Sequence, residues 1–113
     1  MNYIIPDKWA IVKIVSPLTD GKPVYKVLAS WYGGYLYGDS WKLNSGIEKI
    51  KRVKDKILFY GFSGSIYQGA KTNYGVSNYS NIAFNDLKAQ ILKKYESATF
   101  ELLNKSEALK LKI

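Results

Sequence analysis

The sequence of 113 residues contains neither cysteine nor histidine. Without cysteine the chain can form no disulfide and offers no thiolate nucleophile. Without histidine it lacks the commonest general base and a ligand of most zinc sites. A Ser-Lys dyad or a carboxylate pair would need no histidine, but no S-x-x-K spacing stands in a setting typical of catalysis. We therefore expect a binding protein that is not an enzyme, with no catalytic residue, no cofactor and no metal site.

Long apolar runs are also missing. The first nine residues include Pro6, Asp7 and Lys8, so they do not form a signal peptide. No stretch approaches the roughly 20 apolar residues that a membrane-spanning helix needs. We expect a soluble protein with no membrane partner, and the absence of cysteine fits a cytoplasmic location.

Acidic residues are few, since nine Asp and Glu face seventeen Lys and Arg and leave a net charge of +8. Half of this excess lies in residues 42–56, where six basic residues face Glu48 and Asp55. A positive segment favours an anionic partner. Because Arg52 is the only arginine, bidentate reading of DNA bases is disfavoured. The candidate basic binding residues are Lys49, Lys51, Arg52, Lys54 and Lys56, although a merely solvated hairpin face is the default interpretation.

Aromatic residues, in contrast, are abundant at 15% of the chain. Between Tyr32 and Trp41, glycines alternate with large aromatic side chains, which suits a turn that exposes flat rings. Such rings anchor interfaces or stack on bases, but alternate members of a strand would instead face the core. An AT-rich genome would also enrich tyrosine. The candidate aromatic anchors are Tyr32, Tyr35, Tyr37 and Trp41.

Two glycine-containing segments raise the question of phosphate binding. The first, Gly33-Gly34-x-x-x-Gly38, lacks the Gly-Lys-Ser/Thr ending of a P-loop and has the wrong spacing for a dinucleotide site. The second, Ser63-Gly64-Ser65, follows a predicted strand and would present N–H groups and hydroxyls to an anion. It is equally a simple turn.

Periodicity predicts an α+β fold in a single domain covering residues 1–113. We predict a twisted antiparallel sheet of five or six short strands within the β-rich region 9–68. Residues 81–104 carry apolar side chains three or four apart and predict one long C-terminal amphipathic helix, followed by a tail at 105–113. The alternative is a small β-barrel with an appended helix. The predicted strands are 9–15, 24–31, 41–43, 47–53, 57–62 and 66–68.

The string Trp31-Tyr-Gly-Gly-Tyr-Leu-Tyr-Gly-Asp-Ser-Trp-Lys-Leu-Asn-Ser-Gly-Ile47, with Phe62-Ser-Gly-Ser-Ile-Tyr67 and Tyr74-Gly75, resembles small uncharacterised proteins of tailed bacteriophages. The likeness covers about residues 24–79. It carries no functional residues over, but it implies a small phage protein made in the cytoplasm of an infected bacterium. Such proteins often bind and block host factors, including CRISPR effectors, restriction enzymes, polymerase or nucleotide immune signals.

The leading hypothesis is a stoichiometric inhibitor, similar to an anti-CRISPR protein, that occludes a host defence or regulatory factor. One alternative is a pocket that sequesters a nucleotide signal, and another is non-specific nucleic-acid binding. A structural virion component is the fourth. The expected partners are therefore a host protein or a phosphate-bearing ligand, nucleotide or nucleic acid, together with a homodimer through the C-terminal helix.

Overall fold

The computed structural model describes residues 3–33 and 38–113. These residues form eight strands and two α-helices, with short 3₁₀ turns at Pro17–Thr19 and Lys71–Asn73. The strands are β1 (Tyr3–Ile4), β2 (Lys8–Val15), β3 (Val24–Trp31), β4 (Ser40–Leu43), β5 (Ile47–Val53), β6 (Lys56–Gly61), β7 (Ile66–Ala70) and β8 (Thr99–Leu102). The helices are α1 (Asn78–Lys94) and α2 (Lys105–Leu109).

The strands form two four-stranded sheets. The outer sheet has the order β1-β7-β6-β5, with β1 and β7 parallel and the other pairs antiparallel. The middle sheet has the order β4-β3-β2-β8 and is antiparallel throughout. Most of these strands come from segments rich in β-branched and aromatic residues, as expected from their propensity for pleated, half-buried surfaces.

Three layers follow from the alternation of side chains along β2. Trp9 and Ile11 point towards the outer sheet and join one buried core with Phe59 and Tyr67. Val12 points the opposite way, into a second core with residues of β3, α1 and β8. Successive strand residues face opposite sides, so the middle sheet packs on the outer sheet with one face and on α1 with the other.

The predicted fold class is wrong, although each of the six predicted strands is confirmed with shifts of one or two residues at the ends. The predicted helix 81–104 ends at Lys94, and Thr99–Leu102 forms β8, which pairs antiparallel with β2. Ala98 and Leu102 continue the helical spacing of α1, but Phe100 and Leu102 alternate with exposed Glu101 as in a strand. The free edge of β2 offers backbone hydrogen bonds and a site for Phe100 in the second core, and this tertiary pairing prevails over the local period.

The predicted tail contains α2, which Asn104 caps through the Glu107 N–H. The alternative barrel is also wrong, since the strands form two sheets and not one closed one. In α1 the apolar residues Phe84, Leu87 and Ile91 pack on the middle sheet within the same chain. A homodimer through this stripe is therefore not proposed. No helix in the described ranges is long and apolar enough to cross a membrane.

Tyr74 ties three segments together through its hydroxyl. The hydroxyl accepts a hydrogen bond from the Ile11 N–H at 3.1 Å and donates one to the Leu103 carbonyl at 2.6 Å. The hydroxyl thereby bridges the backbone of β2 and the segment after β8, at the point where these two stretches of chain separate. Burial raises the pKa of Tyr74 above its ordinary value, the hydrogen bond from Ile11 lowers it, and the charge of Glu107 raises it; the net direction is upward.

We expect Tyr74→Phe to lower the free energy of unfolding by about 2 kcal/mol, because a buried N–H and a buried carbonyl lose their partner. The difference in free energy of unfolding between the wild type and Tyr74→Phe should be constant at neutral pH and shrink above about pH 10. There the unfolded tyrosine ionises while the folded one, with its raised pKa, retains its proton, so the wild type loses stability. Urea denaturation followed by circular dichroism at several pH values measures this. A difference in the free energy of unfolding that does not change with pH would contradict this prediction. Burial also raises the pKa of Tyr67, but Tyr67 is present in both proteins and so does not affect the difference between them.

Candidate functional site: the open face of the outer sheet

The outer sheet has one covered face and one open face. Its covered face carries Phe59 and Tyr67 into the core shared with the middle sheet. On the opposite face Lys49, Lys51 and Lys56 are exposed, whereas Leu58 and Ile66 are buried among their neighbours. The strand register places these residues on this side, which we call the open face: Tyr3, Lys49, Lys51, Val53, Lys56, Leu58, Tyr60, Ile66, Gln68 and Ala70.

The open face is basic, since it carries three lysines and no Asp or Glu among the residues just named. Lys49 and Lys51 lie two residues apart on β5, which separates their Cα atoms by about 7 Å. Lys56 begins the neighbouring strand β6. All three lysines are exposed. Their ammonium groups are unopposed within this face, so it attracts anions.

One row across the sheet is aromatic and apolar. Tyr3 pairs with Ile66, Ile66 with Tyr60, and Tyr60 with Lys49. Because neighbouring strands lie about 4.8 Å apart, the Cα atoms of the two tyrosines are separated by about 10 Å. Ile66 between them is 4% exposed, whereas Tyr3 is 47% exposed. The Lys49 ammonium lies 5.4 Å from the centroid of the Tyr60 ring, within range of a cation–π contact.

The structure separates the five predicted basic residues into three positions. Lys49, Lys51 and Lys56 lie on the open face. Lys54 occupies the β5–β6 turn with a left-handed φ of 46°. Arg52 lies on the covered side, where its guanidinium donates to the carbonyls of Leu109, at 3.0 Å, and Leu111, at 2.7 Å. A hydrogen bond to the end of α2 and the segment after it gives Arg52 a structural role, so its charge is not offered to a partner on the open face.

Of the predicted aromatic anchors, Trp41 does not lie beside the lysines. Trp41 pairs with Ser30 and packs on the second core, so it lies on the α1 side of the middle sheet. There it lines a shallow cleft with the exposed side chains of Tyr79 and Ile82. The middle sheet and the first core separate it from the open face. Tyr32 is exposed beyond the end of β3, and its backbone N–H donates to Asp7 at 2.8 Å.

Tyr35 and Tyr37 lie outside the described residues. The prediction that they anchor a partner therefore stays a prediction.

The Ser63-Gly64-Ser65 segment is a tight turn in which two backbone N–H groups already have partners within the chain. The Ser63 N–H donates to the Ser45 hydroxyl at 3.1 Å, and the Gly64 N–H donates to the Gly61 carbonyl at 3.0 Å. An anion site of this kind needs several backbone N–H groups free and pointing at the ligand. Two of the turn's donors are engaged within the chain, which favours the simple turn.

Sequence reasoning missed Tyr3 and Tyr60 as site residues. The signal for Tyr60 was present, because a two-residue turn at Lys54–Asp55 pairs Val53 with Lys56 and places Tyr60 opposite Lys49. No such signal was present for Tyr3, because the parallel pairing of β1 with β7 joins segments more than sixty residues apart. Long-range pairing of this kind leaves no local pattern.

The described residues define a three-layer β/β/α protein with a basic and partly aromatic sheet face. Comparison of the chain with family models, with curated proteins and with solved structures gives no match.

Proposed function

We propose that this protein is a non-enzymatic binding protein that engages an anionic partner through the open face of its outer sheet and acts by occlusion. The observation that carries the proposal is the placement of the exposed Lys49, Lys51 and Lys56 on one sheet face without a carboxylate among the residues that define it. Like charges on a rigid sheet repel one another, and an anionic partner relieves that repulsion while it gains three ion pairs.

The shape of the face fits a large partner better than a small one. The open face is the side of a four-stranded sheet, and a sheet side buries a small ligand poorly, since small-molecule sites are concave. The nucleotide pocket is further disfavoured because two backbone donors of the Ser63–Ser65 turn, the Ser63 and Gly64 N–H groups, are engaged within the chain. A macromolecule that covers several lysines at once is the partner that this geometry supports.

The biological setting comes from the resemblance to small tailed-phage proteins. We propose that the partner belongs to a bacterial host and that the protein neutralises a defence or regulatory factor by stoichiometric occupation of an anionic surface. The absence of histidine and cysteine supports a role that requires no turnover. Occlusion needs only affinity and coverage, and the open face offers both through charge and area.

The test compares two triple charge reversals that take the net charge from +8 to the same lower value. One variant changes Lys49, Lys51 and Lys56 to Glu on the open face. The matched control changes Lys22, Lys93 and Lys105, which are exposed elsewhere. Fluorescence anisotropy measures binding to labelled poly-L-glutamate and to a labelled oligothymidine, with circular dichroism as the check on folding.

We expect the open-face variant to lose at least about tenfold in affinity for whichever polyanion the wild type binds, because three desolvated contacts become repulsive. The control should stay within about threefold, since distant charges are screened beyond about 10 Å. Equal losses in both variants would show that only overall charge matters. Failure of the wild type to bind either polyanion would overturn the proposal.

A further inference from the structure

We infer that the anionic partner of the open face is a single-stranded nucleic acid, with bases against Tyr3 and Tyr60 and phosphates beside Lys49, Lys51 and Lys56. The inference rests on the proposed function and narrows it to one class of partner. It follows from the combination of charge with an aromatic row on the same face, which neither feature would support by itself.

The row of Tyr3, Ile66 and Tyr60 is an apolar strip that ends at the lysines of β5. An acidic protein surface would form ion pairs with the lysines, but its carboxylates would gain no favourable contact from Tyr3, Ile66 and Tyr60. A nucleotide is both apolar on the face of its base and anionic at its phosphate. A single strand therefore satisfies both parts of the open face at once.

A double helix fits this surface less well. Duplex recognition requires an element that protrudes into a groove, usually a helix or a two-stranded ribbon. The open face is the side of a four-stranded sheet, and both helices pack elsewhere, α1 on the far side of the middle sheet and α2 beside the first core. The bases of a duplex are stacked on one another, so their faces are unavailable to Tyr3 and Tyr60. Only unpaired bases can use the rings.

The contact between Lys49 and Tyr60 gives the surface a defined change on binding. In the free protein the Lys49 ammonium lies over the Tyr60 ring at 5.4 Å. A phosphate attracts the ammonium more strongly than the ring does, so Lys49 moves to the backbone of the strand and uncovers the ring for a base. Lysine acts as a point charge and every base has an aromatic face, so we expect little sequence preference.

The experiment measures anisotropy for four labelled probes: an oligothymidine, a duplex of the same length, an abasic single strand with the same number of phosphates, and poly-L-glutamate. The proteins are the wild type, Tyr60→Ala, Tyr60→Leu and Tyr3→Ala. Tyr60→Leu removes the ring but keeps an apolar side chain at this half-buried position of β6. Tyr79→Ala is the matched control, because Tyr79 on α1 is 47% exposed, as is Tyr3, and lies away from the open face.

The wild type should bind the oligothymidine at least about tenfold more tightly than the abasic strand, the duplex or poly-L-glutamate, since each stacked base contributes about tenfold. Tyr60→Leu and Tyr3→Ala should each lose about tenfold for oligothymidine and little for the abasic strand. Tyr79→Ala should match the wild type. The abasic strand distinguishes a loss of base stacking from a damaged fold. A damaged fold would weaken binding of the oligothymidine and of the abasic strand alike.

Two results would overturn the inference in different ways. If poly-L-glutamate or the duplex binds as tightly as the oligothymidine, and the Tyr60 and Tyr3 variants bind normally, the partner is not a single strand but the proposed function stands. If no probe binds, the proposed function falls with it.

Discussion

Replacing Trp9 by alanine is expected to lower the free energy of unfolding by about 4 kcal/mol, the range found for large aromatic residues in cores. Trp9 is fully buried and projects from the middle sheet towards the outer sheet. Its ring lies 5.2 Å from Phe59 and 4.8 Å edge-on from Tyr74, measured between centroids. Its indole N–H donates to the Ala70 carbonyl at 2.7 Å. Alanine would leave a cavity between the two sheets and an unpaired carbonyl.

Urea denaturation followed by circular dichroism measures the effect. Leu18→Ala is the control, because Leu18 is a large apolar residue that is 72% exposed, and its replacement should change stability by less than about 0.5 kcal/mol. Trp9→Phe retains a ring but loses the N–H donor, so we expect about half the loss seen with alanine. A loss below about 1 kcal/mol for Trp9→Ala would mean that Trp9 does not join the two sheets.

Gly69→Ala is expected to cost about 3 kcal/mol, although a strand glycine replaced by alanine ordinarily gains stability. A Cβ on Gly69 would lie 2.6 Å from Cε2 and 2.7 Å from Cδ2 of the Trp9 ring. That ring is fixed by the packing of the core, so either the indole or β7 must shift. The Trp9 ring thus occupies the space that a side chain at position 69 would need.

Gly61→Ala provides the matched control on the neighbouring strand β6. A Cβ there would meet the Asn44 side chain and the Ser65 carbonyl at 3.4 Å, which is ordinary contact distance. We expect its stability to change by less than about 1 kcal/mol. Equal effects of the two substitutions would show that strand glycines in this sheet are constrained by their backbone and not by the indole.

The location of the proposed site has consequences for both core predictions. The open face is the reverse side of the sheet that Trp9 and Gly69 hold in place, and Tyr60 is adjacent in β6 to Phe59, which contacts the Trp9 ring. Core variants would therefore weaken binding through loss of the fold. Substitutions that test binding have to lie on the open face itself, where Lys49, Lys51 and Lys56 are exposed.

Six strand segments could be predicted from the sequence because their information is local. β-Branched and aromatic residues identify 24–31 as a strand. The apolar residues of 47–53 are three apart and would also suit a helix, so that strand follows from the clear strand after it and the short turn at Lys54–Asp55, which determines the register of the β5–β6 hairpin. The start of α1 is also local, since Ser77 and Ser80 form a capping box. The concentration of lysines in residues 42–56 was visible from the sequence as well.

What only the tertiary structure decided is the assignment of these elements to layers. Leu102 satisfies both the helical period of α1 and the strand period that it shares with Phe100, and the free edge of β2 selects the strand. Lys51 and Arg52 are neighbours in one predicted basic site, yet the pleat directs Arg52 to the carbonyls of Leu109 and Leu111 and Lys51 to the open face. Trp41 and the lysines, close in sequence, lie on opposite sides of the middle sheet. The sequence by itself determined six of the eight described strands and the charge. The side on which each residue lies depends on long-range pairing, whose free energy comes from burial between segments far apart in the chain.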